Sequence, residues 1–296
     1  MTELAPDSPR LVEIQASCPL CGAKDARPYA THPEILYVKC SCGLIYRKAA
    51  LEAPTNTALG DTALGNYRHR LRRRVSKSRH QILDALNHVA PGPLLDIGCA
   101  YGYTLQAARD LGLEAAGLEL DEEVARRGRQ LGYRVEVGTM TQLPFGDGSM
   151  QIITMKHVLE HTPDPRSALH EVGRVLKPGG ALFIAVPHAA YNKAVRNPQT
   201  SRFYLPDGLG TQGGHFIYYT PATLSRLLGE EGFDVVHVHP HLWHRAASLP
   251  VQLGQALVAP LRWLAQQAAE GFGLRKEFWL VAVKRAATTR NGAATN

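Results

Sequence analysis

The stretch LLDIGCAYG, Leu94 to Gly102, decides how the rest of this sequence is read. Leu94, Leu95 and Ile97 have the continuous apolar character of a strand buried on both faces, and the apolar residues from Leu105 to Leu113 predict the helix after it. Gly98, Ala100 and Gly102 make the connecting turn with almost no side chains, so a ligand can lie against backbone N–H groups and a helix N-terminus. Glu119 ends a second apolar run, EAAGLEL, about 20 residues further on, where a carboxylate can accept both hydroxyls of a ribose. The pattern predicts a parallel strand–turn–helix–strand unit with a pocket for an adenosine-containing cofactor at the turn.

The turn departs from the dinucleotide fingerprint, which places a glycine where Ala100 stands and another where Tyr103 stands. Asp96 adds a carboxylate at the strand's tip, which repels a pyrophosphate and suits a cation. S-adenosylmethionine fits: its ammonium and sulfonium are positive, and its one carboxylate can sit on the helix N-terminus. At these residues the chain resembles the class I S-adenosylmethionine-dependent methyltransferases, whose first motif is D-x-G-x-G-x-G. Here it reads Asp96-Ile97-Gly98-Cys99-Ala100-Tyr101-Gly102, with alanine for the middle glycine. The resemblance continues in register through a third strand, Arg134 to Thr139, then LPFGDGSMQIITMKHVLEHTPDP from Leu143 to Pro165 and VGRVLKPGGALFIAVPH from Val172 to His188. It implies an α/β fold, a doubly wound Rossmann-like methyltransferase sheet with an antiparallel C-terminal strand pair. It also implies cofactor contacts at Asp96, Gly98, Cys99, Ala100, Tyr101, Gly102, Glu119, Leu120, Thr139, Met140, Met155 and Lys156. One departure matters: Gly138-Thr139-Met140 lacks the acid that many members use to read the adenine amino group.

His157-Val-Leu-Glu160-His161 matches a zinc-peptidase pattern letter for letter. That reading fails on context, because the pattern begins at a strand's end and meets Pro163 and Pro165 before a helix long enough to hold the ligands. In the methyltransferase reading Met155, Lys156 and His157 lie at the carboxyl end of strand four, where open α/β sheets meet their ligands. His157 is the first candidate base, as a neutral imidazole near its ordinary pKa of about 6.5. His215, in a block GHFIYYTP similar to one in resembling enzymes, is the second.

Four of five cysteines precede residue 43. Cys18 and Cys21 have zinc-knuckle spacing; Cys40 and Cys42 follow as a tighter pair, with His32 as a substitute ligand. A small N-terminal zinc ribbon follows from this, structural in role, because some forty residues bury little core of their own. Resembling methyltransferases with such modules act on nucleotide-linked sugars, other biosynthetic intermediates or ribosomal RNA.

The net charge is +7, and Arg68 to Arg79 alone carries seven bases and no acid. Leu71, Val75, Ile82, Leu86 and Val89 recur through it at helical spacing, so it reads either as a helix with solvated arginines or as an anion site. The run lacks interleaved aromatics, which disfavours single-stranded RNA. His237, His239 and His241 alternate along one strand face and read as packing. The loop from His188 to Thr220, with Arg196 and Arg202, suits a substrate, and the apolar insert Ala246 to Ala269 suits a lid or a dimer contact. Residues 1–50 read as the zinc module, 51–90 as linker and basic helix, 91–286 as the methyltransferase domain and 287–296 as a disordered tail. With no signal-like or membrane-spanning run, the expected location is cytoplasmic. The expected substrate is a small biosynthetic intermediate, first an activated sugar. An RNA base is the alternative, and a non-catalytic cofactor-binding regulator is the reading from another class.

Overall fold

The structure, a computed structural model, describes residues 11–32, 35–51, 67–189, 215–240 and 277–286. The linker, most of the 188–220 loop with Arg196 and Arg202, the 246–269 insert, His241, the tail and the His32 side chain lie outside the described residues.

The central sheet starts where the sequence places it. Strand β5 (Leu94–Ile97) is buried at every position, as a strand covered on both faces must be. Beside it on one side run β6 (Ala115–Glu119) and β7 (Arg134–Val137), and on the other β8 (Met150–Lys156) and β9 (Leu176–Pro187), all parallel. The hairpin β11 (Phe233–Pro240) and β12 (Glu277–Lys284) adds to β9 antiparallel, giving the order β11-β12-β9-β8-β5-β6-β7. The strand order therefore reverses on the two sides of β5, and its carboxyl end is the topological switch point, where such sheets bind ligands.

Helices cover both faces. On one, α1 (Tyr67–Leu86) and α2 (Tyr103–Asp110) pack Ile82, Ala85, Ala107 and Ala108 against Leu94, Ile152, Phe183 and Trp279. On the other, α4 (Pro165–Val175) and α5 (Pro221–Glu230) pack Leu169, Val172, Leu224 and Leu228 against Leu95, Ile153 and Leu182. The helix α3 (Glu122–Gln130) starts on an Asp121 cap, α4 on Asp164 with Pro165 in its first turn, and α5 on a Thr220–Thr223 capping box. The N-terminus of α2 has no side-chain cap; Gly102 precedes it in left-handed conformation.

The N-terminal segment forms a second sheet: β1 (Leu11–Glu13), β2 (Arg27–His32), β3 (Ile35–Lys39) and β4 (Ile45–Leu51), in the order β1-β4-β3-β2. A two-residue strand from the far end of the chain, β10 (Ile217–Tyr218), pairs with Tyr46 and Ile45 of β4. Cys18, Leu20, Val38, Leu44 and Tyr46 join the same apolar core as α4 and α5. The N-terminal segment is thus built onto the larger sheet. Among the described residues no helix is long and apolar enough to cross a membrane. His239 stacks on Trp279 at 4.2 Å, consistent with a packed strand face.

Candidate active site

At the carboxyl end of β5 the chain turns sharply, and Gly98 (φ 69°), Ala100 (φ 45°) and Gly102 (φ 78°) all take left-handed backbone. The two glycines answer to their neighbours as well as to any ligand. A Cβ on Gly98 would lie 2.5 Å from Val158 Cγ2, and one on Gly102 would lie 2.7 Å from the Tyr133 ring. The expected cradle of open backbone N–H groups is largely absent. Gly98 and Cys99 donate to the Leu118 carbonyl at 2.8 and 3.0 Å, Gly102 donates to Cys99, and Ala100 donates to Glu119 Oε2 at 2.9 Å. These groups brace the turn against β6, and the first turn of α2 is left without a side-chain cap.

Glu119 is buried and does two jobs for the backbone. Oε2 holds Ala100, and Oε1 accepts from Leu120 at 2.9 Å and Asp121 at 3.3 Å. Asp96 is buried at the strand tip and accepts from Thr154 Oγ1 at 2.5 Å. Between α1, the turn and the tip of β8 lies a cavity of about 410 Å³, within the size range of small-molecule sites.

Of the residues expected at the cofactor, Asp96, Gly98, Cys99, Ala100 and Lys156 line this cavity, as does His157. Tyr101 continues the turn and Gly102 closes it. The Cys99 side chain packs inward beside Gly117, and burial pushes its thiol well up, so it fills space. Met155 departs from expectation: alternation along β8 sends its side chain into the core, while Thr154 and Lys156 face the site. Leu120 is 71% exposed just beyond Glu119. Thr139 and Met140 stand past the end of β7, two strands from the cavity, Thr139 bridged to Gln142.

Sequence reasoning missed how α1 meets the site. Arg73, Arg74, Lys77, Ser78 and Gln81 line the cavity. Spacings of three and four along the helix put them on one face, a signal present in the basic run but without a target until the sheet is placed. Arg74 lies over the Tyr103 ring at 5.0 Å. Lys156 donates to Ser78 Oγ at 3.0 Å and to Thr104 Oγ1, and its burial lowers its pKa despite the opposing pull of Asp96.

His157 stands between two carboxylates, surroundings that favour its charged form over the neutral base expected from the sequence. Its Nε2 lies 2.6 Å from Glu277 Oε2, and its Nδ1 lies 3.3 Å from Glu160 Oε1. Desolvation works against the charged ring, but the neighbouring carboxylates of Glu160 and Glu277 outweigh it and push its pKa up to about 9. Glu277 arrives from β12, 120 positions away, and also pairs with Lys77 at 2.5 Å. His215 is the opposite case, pushed down to about 4 chiefly by burial, although Glu160 pulls the other way. The peptidase pattern has no helix: Leu159–His161 is a single 3₁₀ turn.

Away from this cavity the four N-terminal cysteines converge. Cys18 Sγ lies 3.6 Å from Cys42 Sγ, Cys21 Sγ lies 3.5 Å from Cys40 Sγ, and all four sulfurs fall within 4.8 Å of one another without a disulfide. Zinc–thiolate bonds of about 2.3 Å in a tetrahedron place sulfurs about 3.8 Å apart, so the donor set fits a zinc ion. The tight Cys40–Cys42 pair takes part, Gly43 (φ 93°) allowing its turn.

A doubly wound sheet with a glycine turn, a strand-tip Asp96 and a buried Glu119 at its switch point defines a nucleotide-cofactor-binding α/β enzyme domain. The chain belongs to the methyltransferase-domain family, whose model matches residues 67–238. A Mycolicibacterium smegmatis protein named "Probable S-adenosylmethionine-dependent methyltransferase" is 27% identical over 161 residues, 53% of this chain and 58% of that protein. A ubiquinone biosynthesis O-methyltransferase of Methylococcus capsulatus is 26% identical over 171 residues, 54% of this chain and 71% of its own. The chain thus spans little more than half the length of the first of these relatives. An Archaeoglobus fulgidus S-adenosylmethionine-dependent methyltransferase structure matches with a TM-score of 0.55 at 17% identity, covering 76% of this chain and all of that one, a likeness of fold. The family relationship supports S-adenosylmethionine as the cofactor and leaves the acceptor unspecified.

Proposed function

We propose that the protein transfers a methyl group from S-adenosylmethionine to a small anionic biosynthetic intermediate, with a structural zinc in its N-terminal sheet. The observation that carries this reading is the cavity at the β5 tip, where Asp96 and the α2 N-terminus meet a wall of Arg73, Arg74, Lys77 and Lys156. The bound cofactor supplies a methyl already activated on a sulfonium. The chain's contribution is then positioning, which can supply roughly 7–11 kcal/mol of a barrier. Asp96 suits the cofactor's ammonium, Glu119 its ribose and the first turn of α2 its carboxylate. Lys77 is paired with Glu277 and Lys156 is held by Ser78 and Thr104, so Arg73 and Arg74 are the cations left for the acceptor.

An acceptor bearing phosphate or carboxylate follows from that excess. An activated sugar meets this requirement, and a relative's name points instead to a quinone precursor. An RNA base is the weaker reading, since the basic side chains line a cavity with one exposed tyrosine-stacked arginine and no aromatic platform among the described residues. The non-catalytic reading is disfavoured by the intact turn and the cavity beside it.

Incubation of the full chain with methyl-labelled S-adenosylmethionine and cell extract, with and without nuclease, tests the reading. Label in a nuclease-resistant, anion-exchange-retained small molecule is expected, and replacing Arg73 and Arg74 by alanine should raise the acceptor's KM. Nuclease-sensitive label would move the acceptor to RNA, and binding of cofactor with no transfer to any fraction would favour the regulator. Elemental analysis should find thiolate-bound zinc that disappears in Cys18→Ser with Cys21→Ser; a zinc-free wild type purified without chelator would remove the zinc assignment.

A further inference from the structure

The buried Glu160 faces His157 at ion-pair distance, but that contact does not satisfy its carboxylate. It is 0% exposed, yet neither carboxylate oxygen makes a hydrogen bond. An ionised carboxylate in that position is costly unless a cation of good geometry meets it. Oε1 lies 3.3 Å from His157 Nδ1 and 3.9 Å from His215 Nε2, both outside good hydrogen-bond geometry. His215 Nδ1 is likewise buried without a hydrogen bond. One donor atom each from Glu160, His161 and His215 falls within 4.8 Å of the others. We propose that these three residues form a second metal site, for a divalent transition ion such as zinc, at the back of the active-site wall.

The chemistry of the donors fits. Two imidazoles and a carboxylate suit zinc or iron(II), bond at about 2.0–2.2 Å, and leave a coordination position open. Ligand atoms around a tetrahedral ion at that bond length stand about 3.4 Å apart, so closure from within 4.8 Å asks for side-chain movements of about 1 Å. The backbone already holds the three together. Glu160 and His161 sit on the 3₁₀ turn, and the Glu160 carbonyl accepts from Phe216 N at 2.7 Å. The His215 carbonyl accepts from Tyr37 Oη at 2.9 Å and Arg47 Nη2 at 3.3 Å. The rings of His161 and His215 meet edge to face at 4.8 Å. His161 is exposed, which gives an ion a way in. His157, which touches Glu160, lines the cavity, so the proposed site lies one side chain away from it.

This site is distinct from the thiolates and is separable from them by spectroscopy. The full-length chain, stripped with chelator and reloaded with cobalt(II), should bind about two equivalents. One gives the intense near-ultraviolet band of thiolate ligation, the other only weak visible bands of nitrogen and oxygen ligation. His161→Ala and Glu160→Gln should each lose the weak bands and one equivalent while keeping the thiolate band. Cys18→Ser with Cys21→Ser should do the reverse. Because His161 is exposed, His161→Ala keeps a folded reference if Glu160→Gln does not. A wild type that binds only thiolate-ligated cobalt, or a His161→Ala chain that keeps both equivalents, would overturn the site and leave Glu160 as the ion-pair partner of His157.

Discussion

Glu119 links the sheet to the turn, and its removal should be felt in both. Glu119→Ala takes the acceptor from Ala100, Leu120 and Asp121 and any ribose contact from the cofactor. Hydrogen bonds to a charged group contribute about 1.5–3 kcal/mol, so calorimetry should show cofactor binding weaker by about tenfold or more, with a modest fall in Tm. Unchanged affinity would take Glu119 out of the site. Gly98→Ala should destabilise the fold by about 2–4 kcal/mol, combining left-handed strain with the Val158 clash. Adding Val158→Ala should recover the clash portion alone in urea melts; full recovery would show that the backbone at Gly98 carries no strain. Asp96, the glycines and Glu119 were legible in the sequence because their spacing along one strand–turn–strand unit is local. The state of His157 was not, because Glu277 comes from β12 and Glu160 is turned toward it only by a 3₁₀ turn that the sequence pattern does not announce.

Among the elements, α4 shows how one helix fastens a loop. Arg174 donates to the carbonyls of Leu143 and Phe145, both at 2.9 Å, and to Asp147 at 2.7 Å, while Glu171 pairs with Arg174 and accepts from Leu143 N at 2.8 Å. The Arg174 hydrogen bonds hold the Glu171 pKa down to about 2. A carboxyl depressed in the folded state stabilises above its unfolded pKa of about 4.3 and loses that contribution as pH falls toward 2. The contribution is on the order of 2 kcal/mol after solvent screening. Glu171→Gln should therefore lower Tm at pH 7 and flatten its decline between pH 4.5 and 2; a parallel decline in both chains would show that the pair does not titrate as described. The strands and most helices were legible from apolar runs and caps. The role of α1 was only half legible: the pattern distinguishes its two faces, but which of its arginines overhang a cavity depends on where β8 and β12 lie beneath it.

At the scale of the whole molecule, the N-terminal sheet holds the segment that carries His215, the second candidate base. Tyr37 and Arg47 grip the His215 carbonyl, Arg47 N donates to Phe216 O at 2.7 Å, and the Arg47 guanidinium stands 4.6 Å over the Phe216 ring. Loosening the cysteine cluster should therefore disturb His215 more than Glu119 or Asp96, which belong to the other sheet. In Cys18→Ser with Cys21→Ser, turnover should fall while calorimetric cofactor affinity holds; equal loss of both would mean the whole fold depends on the cluster. Cysteine spacing disclosed the cluster, but no local pattern marks Ile217–Tyr218 as a strand of a sheet begun near the N-terminus. That pairing also sets a timetable for the chain as it is made. Until residues 215–218 leave the ribosome, β4 has an open edge at Ile45–Tyr46, and Tyr37 waits for a carbonyl 178 positions away. Such an edge invites wrong partners during synthesis, so the nascent chain should engage chaperones until β10 arrives and seals it.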